Sequence, residues 1–110
     1  MKDDKFYLIH IMECVTNIEN FTVGGRDEFL SDIKTRDAVL RNLQILSEST
    51  QRISQELKNA YPNIDWKDLS GLRNVLVHDY LGINYNRVWE FIEKELPSLK
   101  YKVETVLNGL

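Results

Sequence analysis

Residues 35–59 read TRDAVLRNLQILSESTQRISQELKN, and this stretch decides the fold. Val39, Leu43, Leu46, Thr50, Ile53 and Leu57 follow one another at spacings of 4, 3, 4, 3 and 4. Such spacing gathers side chains on one stripe of an α-helix, which turns once every 3.6 residues or so. The seam contains one polar member, Thr50. A stripe about 24 residues long cannot stay in water, so partner helices must cover it. Tyr61-Pro62-Asn63 ends the element, because proline disfavours helical geometry in the residue before it.

Reading outward, the flanks repeat the helical period. Between Asp3 and Asn20, Leu8, Ile11, Met12, Val15 and Ile18 form a helical face. Val23-Gly24-Gly25 then breaks the chain, since paired glycines are costly to order inside a helix. Asp27 to Ile33 suits a short helix or turn, and Pro62 to Asp68 a turn-rich connection carrying Trp66. A third helical stretch is expected over Leu69–Leu81, with Leu72 and Leu76 on its apolar side and Gly82 as its stop. The last helix starts near Asn84 and carries Val88, Trp89, Ile92, Leu96, Leu99, Val103 and Val106. Pro97 should kink or interrupt it, because proline has no N–H for the carbonyl four residues back. No segment alternates as a strand does. The expected architecture is all-α, an up-down bundle of four to five helices in a single domain over residues 1–110.

Composition sets further bounds. A 110-residue chain buries roughly two-thirds of its unfolded surface, enough for one core without staples. The net charge of −3 argues against a protein that coats nucleic acid generally, while leaving room for an enzyme that meets RNA at one local basic patch. Cys14 is the only cysteine, so the chain forms no internal disulfide, and Cys14 reads as a small buried hydrophobe. The opening MKDDKFYLIH lacks the basic-then-apolar layout of a signal peptide, and no run approaches the length of a membrane span. These features point to the cytoplasm.

The unusual segment is Gly71-Leu-Arg-Asn-Val-Leu-Val-His-Asp-Tyr80, which holds one of the two histidines. Arg73 is a permanent cation that can fork onto phosphate oxygens. His78 can give or take a proton near neutral pH. Cleaving RNA through its 2′-hydroxyl needs both functions: protons moved at the attacking and leaving oxygens, and charge stabilised on the phosphorus oxygens between them. The same residues also suit a solvated helix surface. Five residues turn an ideal helix through about 500°, leaving Arg73 and His78 about 140° apart, whereas Asn74 and His78 share a face. One histidine per chain also falls short of a separate base and acid. Two copies meeting across a two-fold axis would supply both.

Other candidates are weaker. His10, among Leu8, Ile9 and Ile11, reads as packing or surface. Asp3-Asp4 and Glu93/Glu95 look like helix-end or solvated charge, and Glu48, two residues beyond Leu46 of the seam, is placed to approach a helix–helix boundary. No His/Asp/Glu group has metal-ligand spacing, no glycine-rich phosphate loop is present, and no cofactor is implied.

Arg73-Asn-Val-Leu-Val-His78-Asp-Tyr80 resembles the signature of HEPN ribonucleases, an arginine followed four to six residues later by histidine. The tyrosine two positions on, with Leu81-Gly82-Ile83 and Val88-Trp89 behind it, resembles the HepT toxin branch. The likeness extends to Phe29-Leu-Ser-Asp32, Thr35-Arg-Asp-Ala-Val39, Arg41-Asn42, the Leu57 to Pro62 helix end and Trp66. The chain departs from that pattern at Gln44 and Ser47, where glutamate and glycine are expected. The resemblance implies a homodimer with the motifs meeting at a cleft between protomers. It also implies metal-independent RNA cleavage by a toxin, and a partner antitoxin of the MntA-type minimal nucleotidyltransferase class. Arg73 and His78 would be catalytic, Asn74 supporting, and Tyr80 the acceptor of AMP from that partner. The rival readings are a non-catalytic helical partner or nucleotide-binding module, and a purely structural dimerisation bundle.

Overall fold

The computed structural model describes residues 2–69, 72 and 82–110, and every described element is helical. Helix α1 spans Lys2–Phe21. Its expected stripe is inside: Leu8, Ile11, Val15 and Ile18 are fully buried and Cys14 nearly so. Burying each such aliphatic side chain contributes about 1.5–3 kcal/mol. The helix unwinds over 22–24, where the Thr22 hydroxyl donates to the Ile18 carbonyl at 2.7 Å. Gly25 then sits at φ 89°, a backbone conformation that glycine adopts without steric cost.

The short α2, Arg26–Ser31, buries Phe29. Asp32 joins it to α3, Ile33–Gln51, by accepting from the Lys34 N–H at 3.1 Å and the Thr35 hydroxyl at 2.9 Å. On α3 the seam residues Val39, Leu43, Leu46 and Thr50 are all buried. Thr50, the polar member, satisfies its hydroxyl by donating to the Leu46 carbonyl at 2.9 Å.

The helix expected to run unbroken to Asn59 divides instead, and α4 begins afresh at Gln55–Ala60. Two groups explain the break. Asp4 of α1, only 4% exposed, accepts from the Ser54 N–H at 2.8 Å and the Ser54 hydroxyl at 2.6 Å. The N–H that would have continued the α3 ladder is thereby diverted. Ser54 in turn caps α4 by accepting from the Leu57 N–H at 3.1 Å. Ile53 and Leu57 remain buried, so the stripe crosses the break intact. Asp4 therefore stands in the first turn of α1, the helix-end place expected of it, but as a buried hydrogen-bonding group, while Asp3 in the same turn is exposed.

Beyond α4 the chain turns through Pro62, buries Ile64 and Trp66, and anchors the Trp66 indole N–H on the Tyr61 carbonyl at 3.0 Å. Residues 66–69 and 72 are helical, and the rest of the stretch expected over Leu69–Leu81 lies outside the described residues. Helix α5, Tyr85–Lys94, is capped by the Asn84 side chain, and α6 spans Leu96–Asn108. The interruption expected near Pro97 falls at Glu95. Proline cannot donate to the preceding turn but sits without penalty in the first turn of a new helix, where Pro97 is found.

α1 packs against α3 and α6, α5 packs against α6, and α2 bridges α3 and α5. The buried apolar residues of all six helices, with Ile53, Ile64, Trp66 and Leu69, belong to one hydrophobic cluster. The fold is all-α, with no strand among the described residues. None of the described helices is long and apolar enough to cross a membrane.

Candidate functional site

Arg73, Asn74, His78 and Tyr80 lie outside the described residues. The nearest described residues are Leu72 before them and Gly82 after them. Leu72 and Ile83 both line a cleft of about 1260 Å³ between the 64–72 region and the α5–α6 face. Its apolar lining includes Ile64, Leu69, Val88, Phe91 and Leu99. Its charged lining is mixed: Lys67, Arg87, Lys94 and Lys102 face Asp65, Asp68, Glu90 and Glu95. Asp68 holds its carboxyl above the usual range, because it shares a hydrogen bond with Asp65 and feels that neighbour's like charge.

The first turn of α5, which follows the motif segment in the chain, is held from two directions. Arg36 of α3 places its guanidinium carbon 4.6 Å from the centre of the Tyr85 ring. The same guanidinium donates to the Leu30 carbonyl at 3.3 Å, so one side chain ties the end of α2 to the start of α5. The Arg36 Nε is buried and has no hydrogen-bond partner among the described residues. Arg26 of α2 donates to the Asn86 side-chain oxygen at 2.7 Å. Beneath them Phe29 meets Tyr85 edge-on at 6.4 Å and Trp89 at 5.6 Å, and Asn84 caps the helix through the Arg87 N–H at 3.2 Å. Sequence reasoning assigned no role to Arg26, Arg36, Tyr85 or Asn86. The sequence signals were slight: an Arg-Asp pair early in the long helix, and Asn84 two residues behind a glycine.

The remaining candidates are structural. His10 packs its ring edge-on against Phe6 at 4.4 Å, with Nδ1 at 3.9 Å from a Glu13 oxygen. Glu93 and Glu95 are exposed, and Glu48 is half-buried on α3, where Gln44 donates to it at 3.5 Å. Burial, aided by the charge of Glu13, pushes the Cys14 thiol up to about 11, the opposite of what a nucleophile needs. Among the described residues no group of three or more His, Cys, Asp or Glu side chains is arranged to hold a metal ion.

Comparison with known proteins supplies the class. The family described as Ribonuclease HepT-like matches residues 11–106, a span that contains the Arg73–Tyr80 segment. A Methanocaldococcus jannaschii protein named "Putative RNase" is 35% identical over 106 residues, covering 96% of this chain and 97% of its own. A Thermococcus cleftensis protein named "Probable ribonuclease HepT" is 36% identical over 104 residues, covering 94% of each chain. A Caldanaerobacter subterraneus protein named "Putative RNase" is 34% identical over 109 residues, covering 98% of this chain and 97% of its own. No solved structure matches. The protein belongs to the HepT-like ribonuclease family.

Proposed function

We propose that the protein is a metal-independent endoribonuclease toxin that acts as a homodimer through Arg73 and His78. The observation that carries this reading is family membership across residues 11–106, joined to an intact Arg-x4-His-x-Tyr segment within that span. In the reaction, neutral His78 of one protomer takes the proton of the RNA 2′-hydroxyl. The 2′-oxygen attacks phosphorus, forming a P–O2′ bond as the P–O5′ bond breaks. Protonated His78 of the second protomer delivers its proton to the departing 5′-oxygen, leaving a 2′,3′-cyclic phosphate and a 5′-hydroxyl. The two Arg73 guanidinium groups stabilise the charge on the non-bridging oxygens, and Asn74 supports the site through hydrogen bonding. General acid–base help of this kind contributes about 10²–10⁴-fold in rate.

The partner in this reading is a minimal nucleotidyltransferase of the MntA type, which transfers AMP from ATP to the Tyr80 hydroxyl with release of pyrophosphate. An anionic nucleotide two positions from His78 repels RNA phosphates and fills the space they need. Expression of wild type should arrest growth, His78→Ala should not, and Tyr80→Phe should arrest growth even with the partner present. Equal growth of wild type and His78→Ala contradicts the toxin reading. Full rescue of Tyr80→Phe by catalytic amounts of partner contradicts the tyrosine assignment.

The mixed charge of the cleft favours a second reading, a non-catalytic module that docks a protein or nucleotide there. RNA ends that depend on His78 in the presence of EDTA separate the two.

A further inference from the structure

We propose that Arg36 and Arg26 are positioning residues for the motif, acting through the first turn of α5; this rests on the ribonuclease reading above. The starting point is chain geometry. Leu81, Gly82, Ile83 and Asn84 alone separate the motif segment from α5, and four residues reach at most about 14 Å. Wherever the first turn of α5 is held, one end of the Arg73–Tyr80 segment is tethered to it. Two arginines from other helices do the holding.

Their chemistry suits restraint better than substrate binding. Arg36 is half-buried, stacks on the Tyr85 ring at 4.6 Å and spends a donor on the Leu30 carbonyl at 3.3 Å. A flat guanidinium held by stacking on the Tyr85 ring and by one hydrogen bond to the Leu30 carbonyl loses little further freedom, and lysine cannot reproduce the planar stacking. Arg26 adds a second strut, at 2.7 Å, one residue further along the same turn. Phe29 supplies an apolar stop beneath the Tyr85 ring. α2 and α3 thus set the height and rotation of α5 just where the motif joins it. A shift of about 1 Å in a catalytic group costs on the order of 100-fold in rate, so a restraint at this point bears directly on turnover.

The test compares Arg36→Ala, Arg36→Lys and Arg26→Ala with wild type and His78→Ala on a defined RNA oligonucleotide. Assays are run at a temperature where melting curves show every variant folded. Hydrogen exchange of residues 82–90 is followed by mass spectrometry on the same samples. Arg36→Ala should lower kcat about 10- to 100-fold with KM within about twofold, and should speed exchange over 82–90 while leaving α1 unchanged. Arg36→Lys should recover part of kcat, and Arg26→Ala should show a smaller loss of the same kind. Unchanged kcat per folded molecule in Arg36→Ala overturns the proposal, as does a raised KM at constant kcat, which would make Arg36 an RNA contact. A wild type no more active than His78→Ala overturns it by a different route, through failure of the ribonuclease reading itself.

Discussion

Arg73 and His78 carry the proposed chemistry; residue type singles them out as a cation beside a possible proton carrier, and the family resemblance of the Arg-x4-His-x-Tyr segment supplies the catalytic assignment. Cys14 shows the same kind of reading checked against structure. It was expected to be a small buried hydrophobe, and it is buried on α1 with its thiol pushed up to about 11. Because the folded value lies above that of a free thiol, the neutral form is favoured by folding. That stabilisation is complete below the free-thiol value of about 8.5 and is lost as pH rises through about 11. At pH 8.5 the folded protein should therefore resist Ellman's reagent and react at the rate of global unfolding. Rapid stoichiometric labelling in native buffer contradicts this. Asp4 marks where residue-level reading fell short. Two acidic residues at a helix start look alike in sequence, and only the packing of α1 beside residue 54 buries one and leaves the other in water.

At the scale of elements, periodicity located the apolar faces of α1, of the 39–57 seam and of the 88–106 stretch, but not every boundary. The seam over 39–57 was legible because burial follows the 3.6-residue repeat whether or not the helix is continuous. The break within it was not, because it depends on a side chain 50 positions away. Ser54→Ala removes the α4 cap and leaves the buried Asp4 with one donor fewer. The two losses together should cost about 2–3 kcal/mol in urea unfolding. A loss below about 0.5 kcal/mol would mean that the break is fixed by something else. The α2–α3 junction gives a pH-dependent counterpart. The Thr35 hydroxyl first, and then the Lys34 amide, hold the Asp32 carboxyl below the usual carboxylate range. A depressed folded value adds stability that is present above the unfolded value of about 3.9 and disappears as pH falls through the folded one. Thermal melts should accordingly show Asp32→Ala less stable than wild type at pH 6, with the gap closing towards pH 2. A constant gap contradicts the cap. The position of Pro97 was legible to within two residues, since the missing N–H dictates a first-turn location and leaves the exact stop to neighbouring contacts.

For the molecule as a whole, the all-α class was open to reading, whereas the number of helices, raised above the expected four to five by breaks at residues 52–54 and at Glu95, and the meeting of distant residues were not. The restraint of α5 by Arg26 and Arg36 joins positions 60 and 49 residues apart, beyond any local pattern. The proposed site is a larger case of the same difficulty, since two chains contribute to it and one histidine per chain is legible only as a shortfall. Assembly by two-fold symmetry, as proposed, would make the shortfall good and would tie activity to protein concentration. The most direct measurement is cleavage of an end-labelled RNA in EDTA, by wild type and by His78→Ala, across protein concentrations spanning dimer dissociation. The account predicts His78-dependent products ending in a 2′,3′-cyclic phosphate, with activity per chain rising as dimers form. Equal cleavage by the two proteins, or full activity per chain in a strict monomer, contradicts it.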